Sequence, residues 1–337
     1  MRLYGANAAG GIALSRRGWG LTLANLAVVG IGTGPARAQQ PYPSRPIRVV
    51  VPFVAGGGTD VVGRELAQRM SEELGQPLVV DNRGGGGTVI GSDAVAKAPP
   101  DGYTLLLTTS ALAINASLVR ELPYNTEKAI TEVGLICRGP NVIVVRPNSS
   151  LRTVADIVRA AKADPGGLTY GSSGNGSAVH LAAELFKLTA AVDITHVPYR
   201  GAGPAYTDLL GGRLDMVFAT AGGVANLVKQ GQLRAVAVTS AQRTPAYDGV
   251  PTVAETLPGY EADVWYAVFA PAGTPAPVVA RLNAAMRKAT EAPAYRDRLA
   301  GEGLTVAVNS PEEMTRFMRA EEARWRRVVT DGKLSPD

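Results

Sequence analysis

The stretch Val49-Val50-Val51-Pro52-Phe53-Val54-Ala55-Gly56-Gly57-Gly58-Thr59-Asp60 reads as a buried strand, a glycine turn and a helix start. Its unbroken apolar opening suits a parallel strand covered on both faces. Three glycines let the backbone reach positive φ and approach a bound group closely. Asp60 fits the cap of a helix whose apolar positions Val62, Leu66, Met70 and Leu74 recur every fourth residue. A turn of this kind points free backbone N–H groups at a small anion. No lysine or arginine lies between Phe53 and Gly63, so backbone rather than a charge clamp would hold that anion. A carboxylate at Asp60 repels the anion unless its oxygens turn onto helix amides. The reading therefore gives Asp60 to the helix, and the backbone from Ala55 through Thr59, with the Thr59 hydroxyl, to the ligand.

Outward from this turn, short apolar runs alternate with helical patterns. Strands are expected at 47–53, 78–80, 104–107, 142–145, 194–197, 216–218 and 235–238, with a strand-like run at 264–270 that carries Trp265 and Tyr266. Core packing is the first reading of those two aromatic residues. Thr153 and Asp156 form a capping-box pattern before Val154, Ile157, Val158 and Ala161, and Ser310-Pro311-Glu312-Glu313 repeats the signal before Met314, Phe317 and Met318. The pattern predicts an α/β, doubly wound fold. Glycine-rich strand-to-helix turns recur at 82–88, at 171–177 and at 199–204, the third opening a helix with Leu181, Leu185 and Leu188 on one face. In open α/β sheets ligands bind outside the carboxyl ends of the strands. Two such domains facing each other would gather these turns at one cleft.

The first 38 residues read as a cleavable export signal. They hold Arg2, Arg16, Arg17 and Arg37 and no acid, an apolar run over 21–31 and an Ala36-Arg37-Ala38 cleavage pattern. Arg16-Arg17 fits an ordinary secretory signal or a twin-arginine one. The formal net charge of +5 falls to +1 without those four arginines, which removes the electrostatic case for a nucleic-acid partner. The remaining 300 or so residues predict two domains. Cys137 is the only cysteine, so no intrachain disulfide forms.

Several chemistries lack their signatures. His180, His196 and Cys137 have no metal-site spacing, and neither a G-x-x-x-x-G-K-[ST] nor a G-x-G-x-x-G sequence occurs. Gly171-Ser172-Ser173-Gly174 is not G-x-S-x-G, although triads are spatial and a serine hydrolase using Ser172, Ser173 or Ser177 stays open as a third alternative. His180, in the first turn of its helix, is equally a ligand contact and a hydrogen-bond partner of the neighbouring loop. His196, ending a strand, reads as structural. Arg200 faces either the cleft or solvent.

An ordered set of motifs resembles the Bug (TctC-like) family. They are Val51-Pro52-Phe53 with Gly56-Gly57 and Asp60, Asn82-Arg83 with its glycines, Pro100-Asp101-Gly102-Tyr103-Thr104-Leu105, and Gly171 to Ser177 with His180-Leu181. His196-Val197-Pro198-Tyr199-Arg200-Gly201, Asp208-Leu209-Leu210-Gly211-Gly212 and Phe269-Ala270-Pro271-Ala272-Gly273-Thr274-Pro275 complete it. The resemblance implies a periplasmic substrate-binding protein of a tripartite tricarboxylate transporter, with a two-lobed periplasmic-binding-protein fold (type II-like) and a ligand cleft between lobes. It implies no enzyme activity and no cofactor. The ligand would be a small carboxylate, whether an organic acid, an amino acid or an aromatic acid. Carried over, the contacts fall on Phe53, Val54, Ala55, Gly56, Gly57, Gly58, Thr59 and Asp60, on Thr108, Thr109 and Ser110, and on Ser172, Ser173, Gly174, Asn175, Ser177 and His180. Tyr199, Arg200 and Gly201 would close the cleft.

On this reading lobe 1 comprises residues 39–141 and 263–337 and lobe 2 residues 142–262, with hinges near 141–145 and 263–269. The expected protein is a periplasmic monomer that meets membrane permease subunits. The alternative is a ligand-sensing component that signals to a sensor kinase. The sequence departs from the family at Ala55, where a proline is usual, and at Gly84 and Gly86, which replace proline and alanine. These changes leave loops with more entropy to lose on ordering. The Ala219-Thr220-Ala221-Gly222-Gly223 stretch is also small and nearly apolar, which favours a smaller or partly apolar acid over citrate.

Overall fold

Ile47–Val51 (β1) is a strand because four of its five residues are β-branched. The computed structural model describes residues 42–332 and 334, so the export signal expected over 1–38 lies outside the described residues. After β1 come α1 (Gly58–Leu74), β2 (Leu78–Asn82), α2 (Val89–Ala96), β3 (Thr104–Thr109) and α3 (Ala111–Leu118). A single turn, α4 (Thr126–Ala129), leads into the long β4 (Ile130–Val145). A second half holds α5 (Val154–Ala163), β5 (Thr169–Ser172), α6 (Ala178–Ala190), β6 (Thr195–Pro198), α7 (Ala202–Leu210), β7 (Met216–Thr220), α8 (Ala221–Lys229) and β8 (Arg234–Val238). The chain returns through β9 (Asp263–Pro271) and continues with α9 (Ala276–Glu291), α10 (Pro293–Gly301), β10 (Thr305–Val306) and α11 (Pro311–Asp331).

The strands form one curled sheet in the order β2-β1-β3-β9-β4-β7-β5-β6, with β8 and β10 also pairing with β4. β1 runs parallel to β2 and β3, and β5 runs parallel to β6 and β7. The α/β reading holds, and β1 is parallel as its apolar run suggests, but the sheet as a whole is mixed. β9 pairs antiparallel with β3 and β4, and β4 pairs antiparallel with β7 and β8. β4 carries the chain from the first half to the second and β9 carries it back, so the two run in opposite directions. Such a pair needs no helical crossover. β4 is longer than the expected 142–145 because residues 130–140 pair with β9 despite Glu132, Gly134, Arg138 and Pro140. β5 escapes the sequence pattern because Gly171 and Ser172 dilute it.

Each half has an apolar layer on both faces of its strands. In the first, Val49, Val51, Leu105 and Leu107 pack under α1 and α9, through Val62, Leu66, Met70, Leu282 and Met286. Val50 and Leu106 face the opposite layer, closed by Leu112 of α3 and by Met314, Met318 and Trp325 of α11. Trp265 and Tyr266 are buried, and Trp265 Nε1 and Trp325 Nε1 both donate to Glu321 Oε2, at 2.8 and 3.1 Å. In the second half Ile143, Phe186 and Phe218 fill one layer, while Val142, Leu209 and Val224 fill the other. The capping boxes expected at Thr153/Asp156 and Ser310/Glu313 are both formed. Leu188 is an exception on α6: it is exposed, so the expected stripe ends one turn early.

The two halves meet where β4 changes partners. Asn141 is buried there; its N–H donates to Thr239 Oγ1 (2.7 Å) and its Nδ2 to the Ala262 carbonyl (2.8 Å). Thr239 Oγ1 donates to the same carbonyl (2.8 Å). The two crossing segments, β4 at Asn141 and the approach to β9 at Ala262, are thus tied to Thr239, the residue after β8, by side-chain hydrogen bonds at one point.

Candidate functional site

The turn after β1 is held by Asp60, but not in the way its sequence position predicts. Helix α1 starts at Gly58 with Gly57 as its N-cap, and no side chain caps it. Asp60 is therefore the third helical residue rather than the cap. Its Oδ2 accepts the Gly56 N–H (2.9 Å) and Arg64 Nε (3.0 Å), and its Oδ1 accepts Asn82 Nδ2 (2.9 Å). Asn82 Nδ2 also donates to the Phe53 carbonyl (3.1 Å). Burial alone would raise the Asp60 carboxyl, but these hydrogen bonds and the guanidinium charge outweigh it and hold its pKa below the ordinary value. The carboxylate is spent on shaping the turn, which leaves the first amides of α1 uncapped.

The turn between β5 and α6 is built from Ser172, the glycines and two histidines. Ser177 is the N-cap of α6: its hydroxyl accepts the His180 N–H (3.3 Å) and donates to the Gly174 carbonyl (2.6 Å). The Gly176 N–H donates to His180 Nδ1 (3.2 Å), so His180 serves the neighbouring loop. Its ring stacks on that of His196 at 4.2 Å between centroids, and His196 stacks on Tyr170 at 4.7 Å. Burial lowers the His180 pKa to about 4; burial and then the neighbouring His180 lower that of His196 to about 3. Both rings are neutral near pH 7, as an Nδ1 acceptor requires. His196 Nε2 lies 2.7 Å from Ser172 Oγ, which also accepts the Gly174 N–H (3.1 Å). This is a serine–histidine pair, yet Ser172 is fully buried and lines neither cavity described below. The pair braces a loop.

These turns border two chambers of one cleft. The outer has a volume of about 800 Å³ and the inner about 40 Å³. Phe53, Val54, Ser173, Ser177 and Gly201 line both and form the neck between them. Around the inner chamber the N-termini of four helices converge: Gly57 and Gly58 of α1, Ser177 and Ala178 of α6, Gly201 and Ala202 of α7, and Thr220 before α8. Only at α6 does a side chain cap the helix; the caps of α1, α7 and α8 make no side-chain hydrogen bond. Each helix start carries roughly half a positive charge on its free N–H groups. Among the described residues, no lysine, arginine, histidine, aspartate or glutamate lines the inner chamber. Its volume takes about three water-sized atoms, which is the size of a carboxylate.

Of the residues expected to contact ligand, Gly57, Gly58, Thr59 and Thr109 line the inner chamber, and Gly174, Asn175, Tyr199 and Arg200 line the outer. Phe53, Val54, Ser173, Ser177 and Gly201 stand at the neck. Ala55 and Gly56 are exposed outside it, while Asp60, Thr108, Ser110, Ser172 and His180 lie buried behind the walls. Thr220 lies on the wall that the sequence reading gives to the 219–223 stretch, whereas Tyr206 and Phe218 of the inner wall and Val89, Ile90, Asn115 and Leu118 of the outer wall are not in that reading. The four-glycine turn at 84–87 lines the outer chamber, at the cleft where the sequence reading gathers the glycine-rich turns.

Loops from the two halves touch across the cleft at glycines. Gly201 has φ 108°, and a Cβ there would lie 2.4 Å from Val54 Cγ2. Gly87 has φ 59°, and its Cβ would lie 2.2 Å from the Asn175 carbonyl oxygen. Neither approach tolerates a side chain. Asn115 Nδ2 donates to the Gly87 carbonyl (2.6 Å) and fixes that contact.

A family model described as tripartite tricarboxylate transporter family receptor matches residues 62–334. Protein BugT of Bordetella pertussis is 38% identical over 314 residues, covering 91% of this chain and 96% of its own. A protein encoded in the tcbD–tcbE intergenic region of Pseudomonas sp. strain P51 is 40% identical over 307 residues, covering 90% and 91%. Among solved structures, an R. palustris protein with adipate superposes with a TM-score of 0.84 at 38% identity, covering 87% of this chain and 99% of that one. MatC of Rhodopseudomonas palustris with bound malate gives 0.82 at 31% identity, covering 86% and 100%. The matched family is one of transporter receptors, not of enzymes.

Proposed function

The chain belongs to the tripartite tricarboxylate transporter receptor family, and we propose that it captures a small carboxylate in the interlobe cleft and presents it to membrane-embedded transporter subunits. One observation carries this reading: four helix N-termini, three without a side-chain cap, surround a chamber the size of a carboxylate that holds no ionised side chain among the described residues. An anion enters such a site without displacing a counter-charge, and each helix start stabilises it by about 0.3–1 kcal/mol, more when buried. The adipate and malate held by two relatives support a carboxylate as the ligand. Lobe 1 spans residues 39–141 and 263–337 and lobe 2 spans 142–262. They close by bending where β4 and β9 cross, at the Asn141–Thr239–Ala262 junction. The work is done in the periplasm after export.

A thermal-shift screen of organic acids tests this. Because a ligand stabilises only the folded state it binds, at least one acid should raise Tm, by a free energy of about 2.7 kcal/mol at a hundredfold excess over Kd. No shift with any acid, beside turnover of an ester, would contradict the proposal.

A further inference from the structure

Two hydroxyls of the second half converge on the first turn of α8. A Cβ on Gly223 would lie 2.8 Å from Tyr206 Oη and 2.8 Å from Thr220 Oγ1, so this glycine leaves the room that both occupy. Thr220 Oγ1 also lies 2.9 Å from where a Cβ on Gly58, the first residue of α1, would stand. Gly58, Tyr206 and Thr220 all line the inner chamber. Tyr206 stands one turn after Ala202, the first residue of α7, and therefore on the same helix face. Its hydroxyl is buried and has no hydrogen-bond partner among the described residues. Burial raises its pKa, so it keeps its proton. A buried hydroxyl left without a partner weakens a fold, which gives this one a reason to exist outside the fold.

We propose that Tyr206 is an affinity-determining ligand contact, whose hydroxyl donates to the ligand oxygen seated against the starts of α1 and α8. The inference rests on the receptor reading above and adds one side-chain donor to a site otherwise described by backbone. An atom that meets first-turn N–H groups is an acceptor. Those N–H groups are themselves donors, so they give the Tyr206 proton nothing to bond. One oxygen placed between the helix starts and Tyr206 Oη supplies the acceptor that both lack. Because a tyrosine hydroxyl donates a single proton, its bond to an ionised oxygen is of the stronger, charge-assisted kind. Gly223 is then the residue that keeps the hydroxyl in place, since any side chain there would push it away.

Isothermal titration of the purified protein with succinate, malate, adipate and hexanoate, beside thermal unfolding without ligand, tests this. Tyr206→Phe removes only the hydroxyl. It should lower affinity for the tightest-binding of the four about tenfold or more. It should leave the ligand-free Tm unchanged or raised, because no bond within the protein is lost. Gly223→Ala should lower affinity in the same way, since its Cβ displaces the hydroxyl while alanine suits a helix better than glycine. Unchanged affinity in Tyr206→Phe would overturn the contact and leave the receptor reading intact. A lowered ligand-free Tm in Tyr206→Phe would also overturn it, because the hydroxyl would then serve the fold. Absence of binding of all four by the native protein would overturn the receptor reading itself, and this inference with it.

Discussion

Asp60 was legible as a residue of the helix start, yet its partner could not be read from the sequence. The Asn82 amide that orients it comes from β2, twenty-two positions away in the chain. Its apparent place as a cap fails because Gly58 and Thr59 already adopt helical backbone, which composition does not announce. The energetics follow from its lowered pKa. A carboxyl held below its unfolded value contributes stability in full above that value, 3.8, and loses it as pH falls through the lower folded value. Asp60→Asn should therefore destabilise the protein by about 1–3 kcal/mol at pH 7, since it weakens charged hydrogen bonds to Arg64 and Gly56. The difference from the native protein should close below about pH 4. Urea unfolding of both proteins at pH 7 and pH 3 measures this; a gap of constant size would contradict the role given to the carboxylate. His180 and His196 show the opposite lesson. Their bland readings, a loop contact and a structural ring, describe what they do.

At the level of elements, each glycine-rich turn could be recognised alone, but their convergence depends on sheet order. α8 has no glycine before its cap, and Thr220 joins the site only because β7 lies beside β5 and β4. Tyr206, inside α7, carries no local signal at all. The claim that helix starts hold the ligand can be tested without adding or removing charge. Ala178 is the first residue of α6 and lines the inner chamber. Its predecessor Ser177 has φ −72° and ψ 155°, the conformation proline demands of the residue before it. Proline is accommodated at this first position and deletes one N–H. Ala178→Pro should shift stability by less than about 1 kcal/mol while lowering acid affinity about tenfold. Calorimetric unfolding and titration separate the two effects. Unchanged affinity with unchanged stability would show that α6 gives no amide to the ligand.

At the scale of the whole molecule, the continuous apolar character of β1 and β3 made a sheet covered on both faces legible, because Val49 and Val50 must each find a layer. The antiparallel centre was not legible: residues 130–140 of β4 mix glycine, proline and charge, and only the return through β9 makes them a strand. That pair joins the halves, so closure of the cleft and the sheet's topology are one problem. The two chambers lie between loops of both halves, and the helix starts that define the inner chamber come from both: α1 from one, α6, α7 and α8 from the other. A ligand there bridges them. The most direct measurement is a crystal structure of the protein with the acid that most raises its Tm. The account predicts a carboxylate in the inner chamber, its oxygens about 2.7–3.1 Å from first-turn N–H groups of α1 and of at least one helix of the other half. An acid bound only in the outer chamber, or by side chains alone, would contradict it.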